Sequence, residues 1–390
     1  MKIIDVFLFI LCISATLFYF YGIYAAIAFF NQRRTVDGKF HPVVTILKPI
    51  CGLDHDTYNN WASFCQQDYP DYQIIFCVRD RQDPCIKVVQ KIIQQFPNLD
   101  INLVVSDRII GANLKVSNLA NAVAIAKHEI LVIADSDIRV GKDYLQRVIQ
   151  PLQDARVGVV TCLYRSPTQG WVTTLEAIKT ATDFHPGVLV SHQLEGIEFA
   201  LGATIVIRKQ VLEKIGGFEA IADYLADDFQ LGNLPAKAGY KVVLSDYIVE
   251  HVLANSTFID SLHRQIRWAR CIRFSRPCGY SALLFTHGTV TSLLFLLATG
   301  GSVIGWTVLA IVWVMRLIIA WVVGVKILND AVTKKLLWII PLYDLLYFMI
   351  WCCGLVGGTI EWRGQHLKLI KGGKIAPISA DLLPLVRLQN

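Results

Sequence analysis

Ile130-Leu131-Val132-Ile133-Ala134, followed at once by Asp135-Ser136-Asp137, is the stretch on which the fold turns. Five apolar residues in a row have no polar face, so a strand made of them must be covered on both sides, like the central strand of a parallel sheet. Its carboxyl end delivers two acids into a loop, and open α/β sheets bind their ligands at those ends. Outward from it, residues 43–47, 73–78, 102–105, 157–162 and 203–207 read as further strands alternating with helical patterns. Such alternation predicts an α/β domain with a mostly parallel sheet over 42–255. Asp80 follows Phe76-Cys77-Val78-Arg79 as Asp135 follows its own strand, so two strands aim acids at one edge. No internal repeat or low-complexity linker interrupts the region.

With 390 residues, 54% of them hydrophobic, the chain is too apolar for an ordinary soluble enzyme and too charged in its middle for a pure channel, so it divides into membrane and aqueous parts. Residues 6–30 are uncharged and long enough to cross a core of about 30 Å at about 1.5 Å per residue. Ala26-Ile27-Ala28 resembles a signal-peptide cleavage site, but the apolar run exceeds a typical h-region, which favours an anchor. Arg33-Arg34 behind it holds that flank in the cytoplasm and places the chemistry there. Residues 281–328 have room for two spans, interrupted by Gly300-Gly301 and Arg316, and 336–358 is a third candidate. Three such spans would leave the basic tail (Arg363, Lys368, Lys371, Lys374) outside, against the charge rule, so one segment is expected to be re-entrant or the rule fails; Pro341 and Asp344 point to the last segment. The expected divisions are an anchor at 1–34, a cytoplasmic domain at 42–255, an interfacial amphipathic helix at 256–276, transmembrane helices at 281–358 and a basic tail at 359–390. The net charge of +6 forms no long tract, which argues against nucleic acid and for a basic face near a lipid bilayer. Ten cysteines with no CxxC pair and no matching histidine spacing argue against a zinc site or redox motif.

Asp135-x-Asp137 suits a divalent cation, Mg²⁺ or Mn²⁺, bridging a diphosphate, because hard ions take carboxylate oxygens; a turn or N-cap is the plain alternative. Asp227-Asp228 opens a helix, where an acid either caps the helix or serves as a general base, with Asp228 the better placed. In 256–273, Phe258, Ile259, Leu262, Ile266 and Ala269 recur at helical spacing while Arg264, Arg267, Arg270 and Arg273 carry charge. Arg264 and Arg267 lie one turn apart and can both face a diphosphate, with Trp268 as an apolar wall; an anchor on anionic lipid is the other reading. Lys115 and Asn118 begin a helix after Gly111, a place to meet a phosphate or uridine. His185-Pro186 carries no signal from chemistry alone.

The ordered set Asp80, Lys115-x-x-Asn118-Leu119, Asp135-Ser136-Asp137-Ile138-Arg139-Val140, Phe184-His185-Pro186, Asp227-Asp228 and Arg264-x-x-Arg267-Trp268 closely resembles the ceramide glucosyltransferase family, whose bacterial members include hopanoid-biosynthesis glycosyltransferases. The resemblance covers about Pro42 to Arg273, with the anchor and Trp362-Arg363-Gly364. It implies a GT-A nucleotide-sugar-binding domain carrying N-terminal and C-terminal transmembrane helices, and an inverting transfer of glucose or N-acetylglucosamine from a UDP-sugar to a lipid hydroxyl. It further implies Asp80 as the uridine contact, Asp135 and Asp137 as metal and diphosphate acids, Asp228 as base, Arg264, Arg267 and Trp268 as the donor and acceptor clamp, and His185 near the site. Asp137 stands where animal ceramide enzymes carry glycine, which leans toward the bacterial branch, an inner-membrane location and a hopanoid as the alternative acceptor to ceramide. Three other readings compete. A processive polysaccharide synthase shares the fold and a related arginine motif but needs more spans; a nucleotidyltransferase would carry a glycine-rich phosphate loop, which Lys48-Pro49-Ile50-Cys51-Gly52 is not; and a non-catalytic lipid-binding scaffold has little use for four acids and two arginines in this order.

Overall fold

The computed structural model describes residues 2–32, 35–362 and 364–378, and its contacts divide the chain into two compact units. A sheet unit takes 33–168 and 195–255, and a helical unit takes 1–32, 169–194 and 256–390. Assignment of 169–194 to the helical unit departs from the sequence reading, which kept it inside the 42–255 domain. Arg33, Arg34 and Arg363, on which the orientation argument and the tail motif lean, lie outside the described residues.

In the sheet unit, β1 (Val44–Pro49), β2 (Tyr72–Val78), β3 (Asp100–Val105), β4 (Ile130–Ile133), β5 (Ile138–Arg139), β6 (Val157–Arg165), β7 (Ile205–Arg208) and β8 (Lys241–His251) form one sheet in the order β3-β2-β1-β4-β7-β6-β8-β5. The pairs β3–β2, β2–β1, β1–β4 and β6–β8 are parallel; β7 runs antiparallel to β4 and β6, and β5 to β8. The apolar run of β4 is explained by its two faces. Ile130 and Val132 enter one core with Val89 and Ile92 of the helix Cys85–Gln95, while Leu131 and Ile133 enter the other with Val116 and Leu119 of the helix Leu114–Val123. Each such fully buried side chain contributes about 1.5–3 kcal/mol. The six expected strands are present, and β5 and β8 are additions. Strand β8 carries Ser245, Asp246, Glu250 and His251 among its apolar residues, so its sequence lacks the unbroken apolar signature.

In the helical unit, three helices among the described residues are long and apolar enough to cross a membrane: Ile3–Phe30, Val303–Ile327 and Ala331–Leu355. A fourth apolar stretch, Pro277–Thr286 plus Gly288–Ala298, is bent by 54°. The bend thus lies ahead of the last segment, to which Pro341 and Asp344 point in the sequence as the re-entrant candidate. Within that last helix Pro341 sits where the 3₁₀ turn Leu337–Ile339 passes into the α-helical segment Ile340–Leu355, at one of its first two positions. Asp344 is paired with Arg316, whose Nη2 and Nε donate to its carboxylate at 2.8 and 3.0 Å. The excursion 169–194 joins this polar seam: Arg316 Nη1 donates to the Thr182 carbonyl at 2.8 Å, inside a π-helical turn at Thr180–Phe184. Widened turns of this kind accommodate donors from outside the helix and cluster at functional sites. At the C-terminal end, where a basic tail was expected, β9 (Thr359–Trp362), β10 (Gln365–Ile370) and β11 (Lys374–Pro377) make a small antiparallel sheet.

Candidate active site

The loop leaving β4 is held by its backbone, which leaves its acids available. Lys48 Nζ donates to the Asp135 carbonyl at 2.9 Å and Trp61 Nε1 to the Ser136 carbonyl at 2.9 Å. Ser136 Oγ donates to Asp54 Oδ2 at 2.5 Å, and the Val252 amide to the Asp137 carbonyl at 2.8 Å. Lys48 is a lysine in a fully buried strand, seated over the Phe64 ring, and burial pulls its ammonium down to about 7 despite the nearby Asp137 and Asp135. The sequence reading passed over Lys48. A lysine inside an otherwise apolar strand signals a buried acceptor.

Four charged groups then meet at one edge of the sheet unit. Lys115 Nζ lies 2.7 Å from Asp135 Oδ1 and 2.9 Å from Asp227 Oδ2. Its helix is started by Asn113, whose side chain accepts from the Lys115 and Val116 amides and donates to the Tyr224 carbonyl. Lys115, expected to meet a phosphate, thus has carboxylates at both of its close contacts. Burial works against its charge, yet Asp135, Asp227 and Asp228 together hold its ammonium above the ordinary value. Asp228 Oδ2 accepts from the Gly202 amide at 3.1 Å and Oδ1 from the Phe229 amide at 2.8 Å. Gly202 is the tight point: a Cβ there would stand 2.8 Å from Asp135 Oδ2 and 3.4 Å from Asp228 Oδ2. The N-cap of the helix Asp227–Lys237 is Ala226, so neither acid is the cap.

Protonation is uneven across this cluster. Burial, with the charge of Asp227 beside it, pushes the Asp228 carboxyl up to about 6 against the pull of Lys115. Burial likewise raises Asp135, opposed by Lys115. Asp137 goes the other way, because the His251 ring, 3.2 Å from its Oδ2, outweighs its burial. His251 ends β8, the strand missing from the sequence reading, and only the tertiary pairing of β8 with β5 brings it to Asp137.

Asp137 Oδ1 is enclosed with no hydrogen-bond partner, an unmet acceptor at the second position of the Asp-x-Asp pair. Among the described residues no group of three or more His, Cys, Asp or Glu stands ready to hold a metal ion. Two carboxylates suit Mg²⁺ or Mn²⁺, which are commonly held by one or two carboxylates together with substrate phosphates. The Asn118 side chain is buried beside the end of β1, its Nδ2 3.4 Å from the Ile50 carbonyl and its Oδ1 without a partner. Asp80 follows β2, exposed, and accepts from the Gln82 amide in a local turn. The sheet unit thus gathers Lys115, Asp135, Asp137, Asp227 and Asp228 and adds Gly202 and His251, while the bond seen at Asp80 is the local one to Gln82.

His185, Arg264, Arg267 and Trp268 belong to the helical unit. His185 is fully buried where the π-helical turn passes into the helix His185–Glu195. In the helix Phe258–Ser275, Arg264 Nη2 donates to Glu176 Oε1 at 2.6 Å, Arg267 lies over the Trp362 ring, and Trp268 is 36% exposed. Arg270 and Arg273, read as part of the charge on this amphipathic helix, donate to the carbonyls of Leu355, Val356, Gly357 and Thr359 behind the last long helix.

The profile of Glycosyl transferase family 21 matches residues 7–375. Ceramide glucosyltransferase 1 of Caenorhabditis elegans is 25% identical over 378 residues, covering 93% of this chain and 80% of that protein. Ceramide glucosyltransferase of Komagataella phaffii is 34% identical over 143 residues, 34% of this chain and 27% of that protein. Among solved structures, the mannosyltransferase PcManGT from Pyrobaculum calidifontis, in complex with GDP-Man and Mn²⁺, superposes with a TM-score of 0.55 at 18% identity, over 90% of this chain and 96% of that one, a likeness of fold.

Proposed function

Because the chain belongs to glycosyl transferase family 21, we propose that it moves glucose from UDP-glucose to the primary hydroxyl of a ceramide-type membrane lipid, with inversion at the anomeric carbon. The observation that carries this reading is Asp228. A lipid hydroxyl needs a base, and a carboxyl pushed up to about 6 takes a proton more readily than an ordinary one while remaining ionised at neutral pH. Lys115 supports the assignment by pairing with Asp135 and Asp227, which leaves Asp228 as the acid of the cluster that has no lysine contact. Asp228 takes the hydroxyl proton, the oxygen bonds to the anomeric carbon from the face opposite UDP, and the carbon–oxygen bond to the diphosphate breaks with its electrons leaving on UDP. Holding those partners in line accounts for a large share of such a rate gain.

Asp135 and Asp137 would hold Mg²⁺ or Mn²⁺, and when bound the ion supplies positive charge to the diphosphate oxygens. By the motif match, Arg264 and Arg267 would supply positive charge to a diphosphate, Trp268 an apolar wall for the acceptor and Asp80 and Asn118 contacts to the nucleoside, with His185 a residue near the site. For the test, the purified protein is incubated with Mn²⁺ or Mg²⁺ and UDP-glucose or UDP-N-acetylglucosamine against ceramide, a hopanoid polyol and diacylglycerol, and products are read by mass spectrometry. A β-glucosylceramide is expected. N-Acetylglucosamine on the polyol alone would move the protein to the hopanoid reading, a long polymer to a synthase, and absence of UDP binding to a scaffold.

We place the sheet unit in the cytoplasm, on the strength of Arg33-Arg34 and the positive-inside tendency. Cys51, which is exposed, provides the test in a variant whose Cys278, Cys352 and Cys353 are serine. A membrane-impermeant maleimide should label it in inside-out vesicles; labelling in right-side-out vesicles alone would reverse the placement.

A further inference from the structure

Glu176 stands in the helix Trp171–Lys179 of the helical unit with only 3% of its surface exposed. A carboxylate so deeply buried is costly unless it is paired. Its Oε1 accepts from Arg264 Nη2 at 2.6 Å and from Ser261 Oγ, and its Oε2 is enclosed with no hydrogen-bond partner. Arg264 Nη2 is held from a second side by Ser256 Oγ at 3.1 Å. The support continues inward: Gln265 Nε2 donates to Ser261 Oγ at 3.4 Å, and Tyr343 Oη donates to Gln265 Oε1 at 3.3 Å. Three helices therefore fix one end of a guanidinium through a charged anchor. The Arg264 side chain keeps 29% of its surface exposed, so part of the guanidinium stays reachable, while its Nε–H is enclosed and without a partner.

We propose that Glu176 is a positioning residue for Arg264: it locks the arginine in the rotamer that presents its other N–H groups to an anionic ligand, the diphosphate of the donor. An arginine side chain is rich in rotamers, and one ordered at folding does not have to be ordered again at each binding event. The inference rests on the reading of Arg264 as a diphosphate ligand. Glu176 acts at a distance from the ligand, through one bond to the group that touches it.

The test is a double-variant cycle with Glu176→Gln, Arg264→Gln and the pair together. UDP affinity is read by calorimetry, KM for UDP-glucose and kcat by turnover, and integrity by thermal unfolding. Glutamine keeps the shape of Glu176 and an acceptor for Ser261, and removes the charge that holds the guanidinium. Glu176→Gln should weaken UDP binding roughly ten- to a hundred-fold, the range of one charge-assisted hydrogen bond, and should have no further effect once Arg264 is glutamine. The double variant should also unfold at a higher temperature than Arg264→Gln alone, which leaves a buried carboxylate without its cation. Unchanged UDP affinity in Glu176→Gln, or the same loss in the Arg264→Gln background, would make Glu176 a structural residue and overturn the proposal. Wild-type UDP affinity and turnover in Arg264→Gln itself would instead remove the reading of Arg264, a separable failure.

Discussion

Replacing Asp228 by Asn should abolish transfer and at the same time stabilise the unliganded protein above pH 7. In the folded chain the carboxyl titrates at about 6 because burial and Asp227 oppose its charge, against an ordinary value of 3.8. A group whose folded pKa is raised favours folding at low pH and loses that contribution as pH rises through the folded value. Ionised Asp228 therefore costs the native state on the order of 2–3 kcal/mol at neutral pH and above. Asparagine removes the charge but, with a single acceptor oxygen, keeps only one of the two bonds now made to the Gly202 and Phe229 amides, a loss of about 1 kcal/mol. A net gain of roughly 1–2 kcal/mol remains, read as a higher thermal midpoint in detergent at pH 8 that fades toward pH 5. In the wild type, kcat/KM should show an acid limb near pH 6, falling about tenfold from pH 7 to pH 5. UDP binding should survive the substitution. A variant that keeps turnover, or one that loses turnover, UDP binding and thermal midpoint together, would refute the assignment of Asp228 as the base.

The neighbours of Asp228 should move the acid limb in opposite directions. Asp227→Asn removes a charge that raises Asp228 and should shift the limb to lower pH, whereas Lys115→Met removes a charge that lowers it and should shift the limb upward; shifts of the same sign in pH-dependent kcat/KM would contradict the geometry. Gly202→Ala puts a methyl group 2.8 Å from Asp135 Oδ2, closer than non-bonded contact allows, so turnover should drop by at least tenfold with the fold intact by circular dichroism. Arg316→Met strands Asp344 without its cation and should cost about 3–5 kcal/mol, recovered in large part by adding Asp344→Leu, as followed by thermal unfolding.

The sheet was legible where the chain is unambiguous. A run such as Ile130–Ala134 can be covered only on both faces, and Asp135 must then emerge at a ligand-binding edge. Strand β7 shows where that logic stops. Its first three residues, Ile205-Val206-Ile207, are as apolar as those of β4, and nothing in them records that it runs antiparallel to both neighbours. Strand β8 was unreadable for the opposite reason: its polar positions belong to a strand near the border of the sheet, and its last residue, His251, is placed by pairing with β5. The cluster around Lys115 was half visible. Each acid could be named from its position after a strand or at a helix start, but the lysine that bridges Asp135 and Asp227 joins segments more than ninety residues apart.

The excursion 169–194 is the harder lesson, because nothing local marks it as belonging with the apolar helices. Trp171–Lys179 carries a glutamate and a lysine, and its neighbours Asp183, His185 and His192 read as an aqueous segment. Its affiliation is decided by partners over eighty residues away in sequence: Arg264 for Glu176 and Arg316 for the Thr182 carbonyl. In an apolar surrounding an isolated charge is too costly to keep, so Arg316 and Asp344 are tolerable only as a pair, and the free carbonyl of a widened turn supplies the remaining acceptor. Polar residues that weaken a hydropathy reading are thus the ones that fix how these helices assemble. The same reasoning makes 169–194 separable by experiment. Thr182→Val leaves the backbone acceptor for Arg316 in place and should be nearly neutral, whereas Arg316→Met removes the donor from Thr182 and Asp344 at once. Equal losses of thermal stability in those two variants would show that the hydroxyl, and not the carbonyl freed by the π-helical turn, holds the segment.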